Sequence, residues 1–475
     1  MVAVAAVRQM PAVPERAGIP AEVAISGGAG LFGRVEVAGA KNAATKMLVA
    51  ALLADGVSVV HNVPRIGDVD QTLGLLASVG VETDRRDDGS VGVVGGRSSA
   101  VVSAVAGSTN RLPLLIAAAL LHRHARVWVP APGGCRIGAR PTELWVQVLE
   151  ALGCAVTDDG GSLRISRGRG RLVGSRIALA FPSVAATETA LLAGVLARGR
   201  TTVGNAAREP EIVALGRMLS RMGARIGGLG TSRLTIDGVA SLDPVEWEVP
   251  GDRLEAASYA LLAAASDGEV TVGGCHAGPL EGFLRVFESS GGGVERCADG
   301  ALRFFRRGPL SATTLTTGPY PQFSTDYQQP SAVLLTCAQG VSLIHETVYE
   351  QRLGFLDTLQ AMGAAVQVGA DCPQGRRCRF DGRYAHVAWI RGVDTLRSPA
   401  APVRLPDLRG GMALVTAALA ARGTTRFTGW EQVARGYQDL AGTLRRLGAR
   451  LRTLRRGDEP DGDRAGELVS GGRVA

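Results

Sequence analysis

Alanine- and leucine-rich stretches that stop at a glycine and give way to alternating Val and Thr recur along this chain. The junctions are Leu53-Ala54-Asp55-Gly56-Val57, Leu196-Ala197-Arg198-Gly199-Arg200, Ala265-Ser266-Asp267-Gly268-Glu269, Cys337-Ala338-Gln339-Gly340-Val341 and Ala420-Ala421-Arg422-Gly423-Thr424. Glycine there suits the left-handed residue that closes a helix, after which runs such as Val-Ser-Val-Val begin a strand. A sixth copy, around Leu121-His122-Arg123-His124, lacks the glycine. A second series runs in phase: Ser78-Val79-Gly80-Val81, Ala151-Leu152-Gly153-Cys154, Arg221-Met222-Gly223-Ala224, Ser290-Gly291-Gly292-Gly293, Ala361-Met362-Gly363-Ala364 and Arg446-Leu447-Gly448-Ala449. Its spacing is about 70 residues and longer at the last step, the signature of a repeated supersecondary unit. Each unit holds at least two helix-to-strand transitions. Six mixed α/β units predict two similar domains of three units each, with a ligand cleft between them. A single solenoid is the alternative, disfavoured because the units carry distinct polar insertions where a solenoid keeps one face alike.

Length supports the division, since 475 residues exceed one ordinary core and suggest two domains of roughly 200 residues. Only 4% aromatic residues beside 64 glycines point to tight turns and close helix packing. The 52 Lys and Arg against 44 Asp and Glu leave a net charge of +8. These charges are scattered, without the basic patch and interleaved aromatics of a nucleic-acid binder, so small anions are the expected ligands. Seven cysteines at irregular spacing favour reduced thiols in the cytoplasm over a disulfide framework. Cys372 and Cys378 come nearest to a pair, but with six histidines and no second cysteine pair at zinc spacing no metal site is expected. Met1 to Glu22 does not read as a signal peptide, and no apolar run reaches the length of a membrane span. The Arg-rich end from Arg452 to Ala475 reads as a disordered tail.

Candidate chemistry concentrates in Pro132-Gly133-Gly134-Cys135-Arg136-Ile137-Gly138-Ala139-Arg140-Pro141. Glycines free the backbone, and the flanking guanidinium groups favour thiolate and attract an anion; a buried structural cysteine is the plain alternative. Lys41 and Asn42 open a helical pattern, where a helix N-terminus already favours anions. The same reading applies to Arg111 before Leu112-Pro113, to Arg409 after Asp407, and to Arg435-Gly436-Tyr437. Gly28-Ala29-Gly30-Leu31-Phe32-Gly33 matches a dinucleotide fingerprint but runs into a strand pattern, Arg34 to Val37, so no dinucleotide site is expected. His122 and His124 read as a solvated turn.

These residues resemble the enolpyruvyl transferases, and within them the branch that acts on UDP-N-acetylglucosamine in peptidoglycan synthesis. The resemblance covers about Val23 to Leu454. Its motifs are Gly39-Ala40-Lys41-Asn42-Ala43-Ala44, His61-Asn62-Val63-Pro64, Gly133-Gly134-Cys135, Ile137-Gly138-Ala139-Arg140-Pro141, Asn205-Ala206-Ala207-Arg208-Glu209-Pro210-Glu211-Ile212, Thr325-Asp326, Glu350-Gln351-Arg352, Asp407-Leu408-Arg409 and Arg435-Gly436-Tyr437. It implies two inside-out α/β barrel-like domains, each of three βαβαββ repeats, with the active site in the cleft between them. One domain would be residues 41–248, carrying the cysteine loop; the other would join 22–40 to 249–454. Residues 1–21 would be an N-terminal extension and 455–475 a disordered tail.

The implied reaction moves enolpyruvyl from phosphoenolpyruvate to the 3-hydroxyl of the sugar nucleotide, releasing phosphate through a tetrahedral intermediate, with no metal or organic cofactor. Cys135 would protonate the methylene carbon and Asp326 would accept the hydroxyl proton. Lys41, Arg111, Arg140, Arg352, Arg409 and Arg435 would hold phosphate and carboxylate, with Lys41 and Arg409 nearest the chemistry, and Asn42 would contact the acceptor. Arg140-Pro141-Thr142-Glu143-Leu144 and Phe181-Pro182-Ser183-Val184 match segments that cradle uridine, Glu143 standing for the more usual Asp. Thr45-Lys46 departs from the common Leu-Pro, Ala185 from Gly, and Gly410-Gly411 from small polar residues. Two alternatives stay open: a paralogue acting on the 3′-hydroxyl of UMP in nucleoside-antibiotic biosynthesis, and a silent binding protein on the same fold. The shikimate-pathway relative is disfavoured because it has neither this cysteine loop nor a uridine pocket. The oligomeric state is not legible.

Overall fold

The computed structural model describes residues 19–103, 111–130, 142–373 and 375–454. One strand pattern recurs throughout. Gly292–Arg296 runs antiparallel to Leu302–Arg306, which is antiparallel to Glu269–Gly273, which in turn lies parallel to Phe32–Glu36. The order is that of a βαβαββ unit, a parallel pair of strands beside a closing antiparallel pair. Four more four-stranded sheets repeat it. A sixth, built on Arg126–Pro130, has three strands and a parallel bridge from Val101 to Trp128 at the fourth place.

Three sheets are completed by strands distant in sequence, the one just described among them, where Phe32–Glu36 meets Glu269–Gly273. Glu246–Glu248 lies parallel to Gly56–His61, and Glu22–Ser26 lies between Thr424–Thr428 and Arg450–Leu454. The chain therefore starts in one half, builds the whole of the other, and returns. Arg452 to Leu454, assigned to the tail by composition, belong to that closing strand because Glu22–Ser26 pairs with them. The rest of the proposed tail and residues 1–18 of the proposed extension lie outside the described residues.

Six helices form the interior: α1 (Lys41–Ala50), α2 (Leu112–Leu120), α3 (Val184–Gly194), α4 (Arg253–Ala265), α5 (Thr325–Thr336) and α6 (Leu408–Ala420). They are buried nearly all round; every residue of α4 from Arg253 to Ala264 is covered. A helix enclosed in this way has no exposed face, in contrast to the outer helix Glu281–Ser289, which buries Phe283 and Phe287 and exposes its charged side. Alanines such as Ala43 and Ala44 in α1 and Ala256, Ala260 and Ala264 in α4 let the inner helices approach closely despite few aromatics. Sheets outside and helices inside give two hydrophobic cores. One draws on residues between Ala40 and Val249; the other draws on Val23 to Val37 and Leu254 to Leu451.

The two crossings between the cores run side by side. The amide of Ala40 donates to the carbonyl of Pro250 (2.7 Å) and that of Asp252 to the carbonyl of Ala38 (2.9 Å). At Gly39 a Cβ would collide with the carbonyl oxygen of Asn62, so only glycine lets the crossing lie this close. A buried ion pair joins the halves again. Arg253 Nε and Nη2 donate to Glu211 Oε1 (2.9 Å) and Oε2 (3.2 Å), and Nη1 donates to the Tyr327 hydroxyl (2.7 Å). Removing one partner would leave an uncompensated buried charge, which costs about 3–5 kcal/mol. This accounts for the Glu209-Pro210-Glu211 motif as architecture.

Lys46 in α1 meets Glu188 on α3, with Nζ 3.9 Å from Oε1. Burial pushes the Glu188 carboxyl up to about 7, and Lys46 opposes that only in part. The folded state thus keeps a proton that the unfolded chain releases near the ordinary value of 4.5. This group's contribution is present below that value and is lost as pH rises toward about 7. Urea midpoints are expected to fall between about pH 5 and pH 8, and Glu188→Gln should flatten that slope. An unchanged slope in the variant would refute the assignment.

Candidate active site

The returning crossing sets the position of Lys41. Asp252 caps α4 by accepting from the amides of Leu254 (2.8 Å) and Glu255 (3.2 Å), and its other oxygen accepts from the amide of Lys41 (3.1 Å). One carboxylate therefore ties the start of α1 to the start of α4. Lys41 Nζ then reaches Asp68 Oδ2 at 2.9 Å, and Asp68 Oδ1 accepts from Arg435 Nε at 2.9 Å. Lys41 and Asp68 come from the first core's half and Arg435 from the second. Gly67 makes the contact possible: a Cβ there would sit 3.3 Å from Cα of Arg435. Burial alone would raise the Asp68 carboxyl, but Lys41 and Arg435 outweigh it and hold it below the ordinary carboxylate value.

Asp326 lies in the first turn of α5, whose N-cap Ser324 accepts from its amide (3.3 Å). Its Oδ1 takes a bond from Arg352 Nη2 at 2.7 Å and lies 3.9 Å from Arg409 Nε. Arg409 stands at the start of α6, capped by Asp407, and donates to the Tyr437 hydroxyl (2.9 Å), which meets Ser258 Oγ (2.8 Å). Burial favours the neutral acid at Asp326. The fields of Arg409, Arg352 and Lys41 outweigh it and hold the group far below its usual range. Both arginines are almost wholly covered, whereas the Asp326 side chain keeps 27% of its surface open. The carboxylate is partly open while the two guanidinium groups beside it are covered.

Of the residues expected to carry chemistry, the structure thus assembles Lys41, Asp326, Arg352, Arg409 and Arg435 from distant positions. Cys135, Arg140 and Pro141 lie outside the described residues. Arg111 precedes α2, half-buried; Asn42 is the second residue of α1 and also half-buried. Thr142 is the N-cap position of helix Glu143–Ala151, which Glu143 and Leu144 begin, and Ser183 caps α3 ahead of Val184 by accepting from the amide of Ala186 (3.3 Å). Among the described residues no hydrogen bond joins Thr142, Glu143, Leu144, Ser183 or Val184 to the Asp326 cluster. Beside Ser183, the Phe181 ring is covered by the Arg379 guanidinium from the other half, 5.1 Å from the ring centroid.

Two expectations are corrected. Arg435 does not start a helix; it follows Glu431–Ala434 and reaches Asp68 from the helix end. His122 and His124 are not a solvated turn. His122 Nε2 bonds to the Leu192 carbonyl (2.9 Å) and His124 Nε2 to Ser98 Oγ (3.0 Å), while burial lowers His122 to about 4 and keeps it neutral. Sequence reasoning missed Asp68. Its only signal is an acidic residue just beyond the His61-Asn62-Val63-Pro64 motif.

The model of the EPSP synthase (3-phosphoshikimate 1-carboxyvinyltransferase) family matches residues 25–444. A UDP-N-acetylglucosamine 1-carboxyvinyltransferase of Protochlamydia amoebophila is 41% identical over 90% of this chain and 93% of its own. The enzyme of that name from Gluconacetobacter diazotrophicus is 40% identical over 91% and 99%. Among solved structures, the enolpyruvyl transferase NikO from Streptomyces tendae superposes with a TM-score of 0.78 at 22% identity, covering 91% of this chain and 98% of that one. EPSP synthase from Acinetobacter baumannii follows at 0.66 and 20%, over 91% and 100%. These last two share the two-domain inside-out α/β architecture.

Proposed function

The chain belongs to the EPSP synthase family of enolpyruvyl transferases, and we propose that it transfers enolpyruvyl from phosphoenolpyruvate to the 3-hydroxyl of UDP-N-acetylglucosamine, releasing phosphate, as the committed step of peptidoglycan synthesis. The observation that carries the reading is the partly exposed Asp326 carboxylate beside the covered Arg352 and Arg409, with Lys41 and Arg435 held on Asp68. Phosphoenolpyruvate brings a carboxylate and a phosphate, and permanently charged forked donors suit both. The relatives that share about two-fifths of their residues along nearly the whole chain point to the sugar nucleotide as acceptor.

Asp326 takes the proton of the attacking hydroxyl as its oxygen bonds to C2 of phosphoenolpyruvate, and Cys135 delivers a proton to the methylene carbon. Loss of phosphate and of a methyl proton from that adduct restores the double bond. Arg111, Arg140, Arg352, Arg409 and Arg435 hold the anionic groups, Asn42 the acceptor sugar, and Pro141, Thr142, Glu143, Leu144, Ser183 and Val184 the uridine. No helix among the described residues is long and apolar enough to cross a membrane. A cytoplasmic site of action fits a nucleotide-linked substrate.

The test is phosphate release from phosphoenolpyruvate with UDP-N-acetylglucosamine and UMP offered in parallel, each product identified by mass. Turnover with the sugar nucleotide supports the proposal. Turnover with UMP alone, or with neither, overturns it.

A further inference from the structure

One hairpin departs from the repeat. In four units the last two strands are joined by three to five residues, 86–90, 159–161, 228–232 and 297–301; between Ala365–Gly369 and Val387–Arg391 the connection is 370–386. Within this excursion, regular structure is confined to turns, and a loop that long in a compact domain needs a local anchor. Four side chains supply one. His345 ends the strand Val341–His345, and His386 immediately precedes its antiparallel partner Val387–Arg391, so the sheet sets the two imidazoles at one edge, ring centroids 5.3 Å apart. Above them Cys372 Sγ lies 3.4 Å from His345 Nε2, 3.3 Å from His386 Nε2 and 3.5 Å from Cys378 Sγ. All four donor atoms fall within 4.8 Å of one another.

We propose that His345, Cys372, Cys378 and His386 form a structural zinc site that staples the 370–386 loop to the sheet edge. Zinc–sulfur bonds of about 2.3 Å and zinc–nitrogen bonds of about 2.0–2.1 Å at tetrahedral angles place donors about 3.4–3.8 Å apart, close to the separations found. Two soft thiolates with two imidazoles and no carboxylate select zinc over magnesium or calcium. The surrounding bonds support that use. Nδ1 of His386 meets the Tyr384 carbonyl at 2.7 Å, fixing a tautomer whose Nε2 lone pair faces the thiols, and the Phe380 amide donates to Cys378 Sγ at 3.4 Å. Both rings are buried, so the two imidazoles meet the thiols away from solvent.

The site joins the loop to the cleft. Between the cysteine and histidine ligands, Arg379 donates to the Val348 carbonyl (2.6 Å) and lays its guanidinium on Phe181 of the opposite half. His345 is followed by Glu346, which accepts from Thr325 Oγ1 (2.8 Å), the neighbour of Asp326. The metal would hold both approaches in place without touching substrate.

Metal content of the purified full-length protein tests this independently of any activity. One zinc per chain is expected by mass spectrometry, and replacement by cobalt should give the intense visible absorption of a tetrahedral thiolate site. Cys372→Ser with Cys378→Ser should weaken zinc binding more than about 100-fold. Should that variant fail to fold, the cobalt spectrum of the unaltered protein still decides. No cobalt–thiolate absorption and no stoichiometric zinc after dialysis against zinc alone would overturn the proposal, as would a Cys372–Cys378 disulfide in protein kept reduced.

Discussion

Asp326→Asn is expected to lower kcat by about 10²–10⁴-fold, the span of a positioned general base, while leaving the affinity for the acceptor within a few-fold. The amide keeps the shape of the carboxylate but loses both the capacity to take a proton and the charge that faces Arg352 and Arg409. In the unliganded protein Asp326 is a weak base, because Arg352 at 2.7 Å and Arg409 at 3.9 Å stabilise its anion. A substrate with a carboxylate and a phosphate changes that balance. As it draws the guanidinium charges toward itself, the field on Asp326 falls and its proton affinity rises at the moment a hydroxyl proton must be accepted. Titration in the free protein would therefore lie well below that in the ternary complex, with sign set by the depressed free value: kcat/KM should hold to lower pH than kcat. Single-turnover rates and isothermal titration on the variant separate chemistry from binding. Near-normal turnover would remove Asp326 from the proton transfer.

What could be read in advance follows from how each feature is encoded. The six units are legible because most helix-to-strand switches close on a glycine, and residues such as Gly199 and Gly423 do adopt positive φ there. Which helices lie inside is not legible by period, since α4 and α5 are buried on every face and lack an apolar stripe. Lys41, Arg352 and Arg409 are recognisable as cations in recurring motifs, yet their partner Asp68 sits in Gly67-Asp68-Val69-Asp70, a run that reads as an ordinary charged helix start. Arg435 does not open a helix as its motif suggests; it follows Glu431–Ala434, and its side chain meets Asp68. Cys372 and Cys378 do not read as half of a metal site because no second pair of ligands stands at zinc spacing along the chain. Strand pairing, not spacing, brings His345 to them from before the hairpin.

Lys41→Met carries the second large effect, a fall in kcat/KM of about 10²–10³-fold. The substitution keeps the apolar stem that packs at the start of α1 and deletes the charge. Losing one donor from a developing anion costs about 2.7–4 kcal/mol, which sets the range. Asp68 remains bonded to Arg435 at 2.9 Å, so the fold should survive with a modest drop in melting temperature. A purely structural role for Lys41 makes a different prediction. If the lysine served only to neutralise Asp68, then Asp68→Asn in the Lys41→Met background would restore activity by removing the buried negative charge that Lys41 no longer balances. If Lys41 leaves Asp68 to meet the incoming phosphate, the double variant stays impaired, and Asp68→Asn alone tightens anion binding because nothing competes for the ammonium. Phosphoenolpyruvate affinity measured on the four proteins of this cycle distinguishes the two, since the coupling energy between positions 41 and 68 changes sign between them.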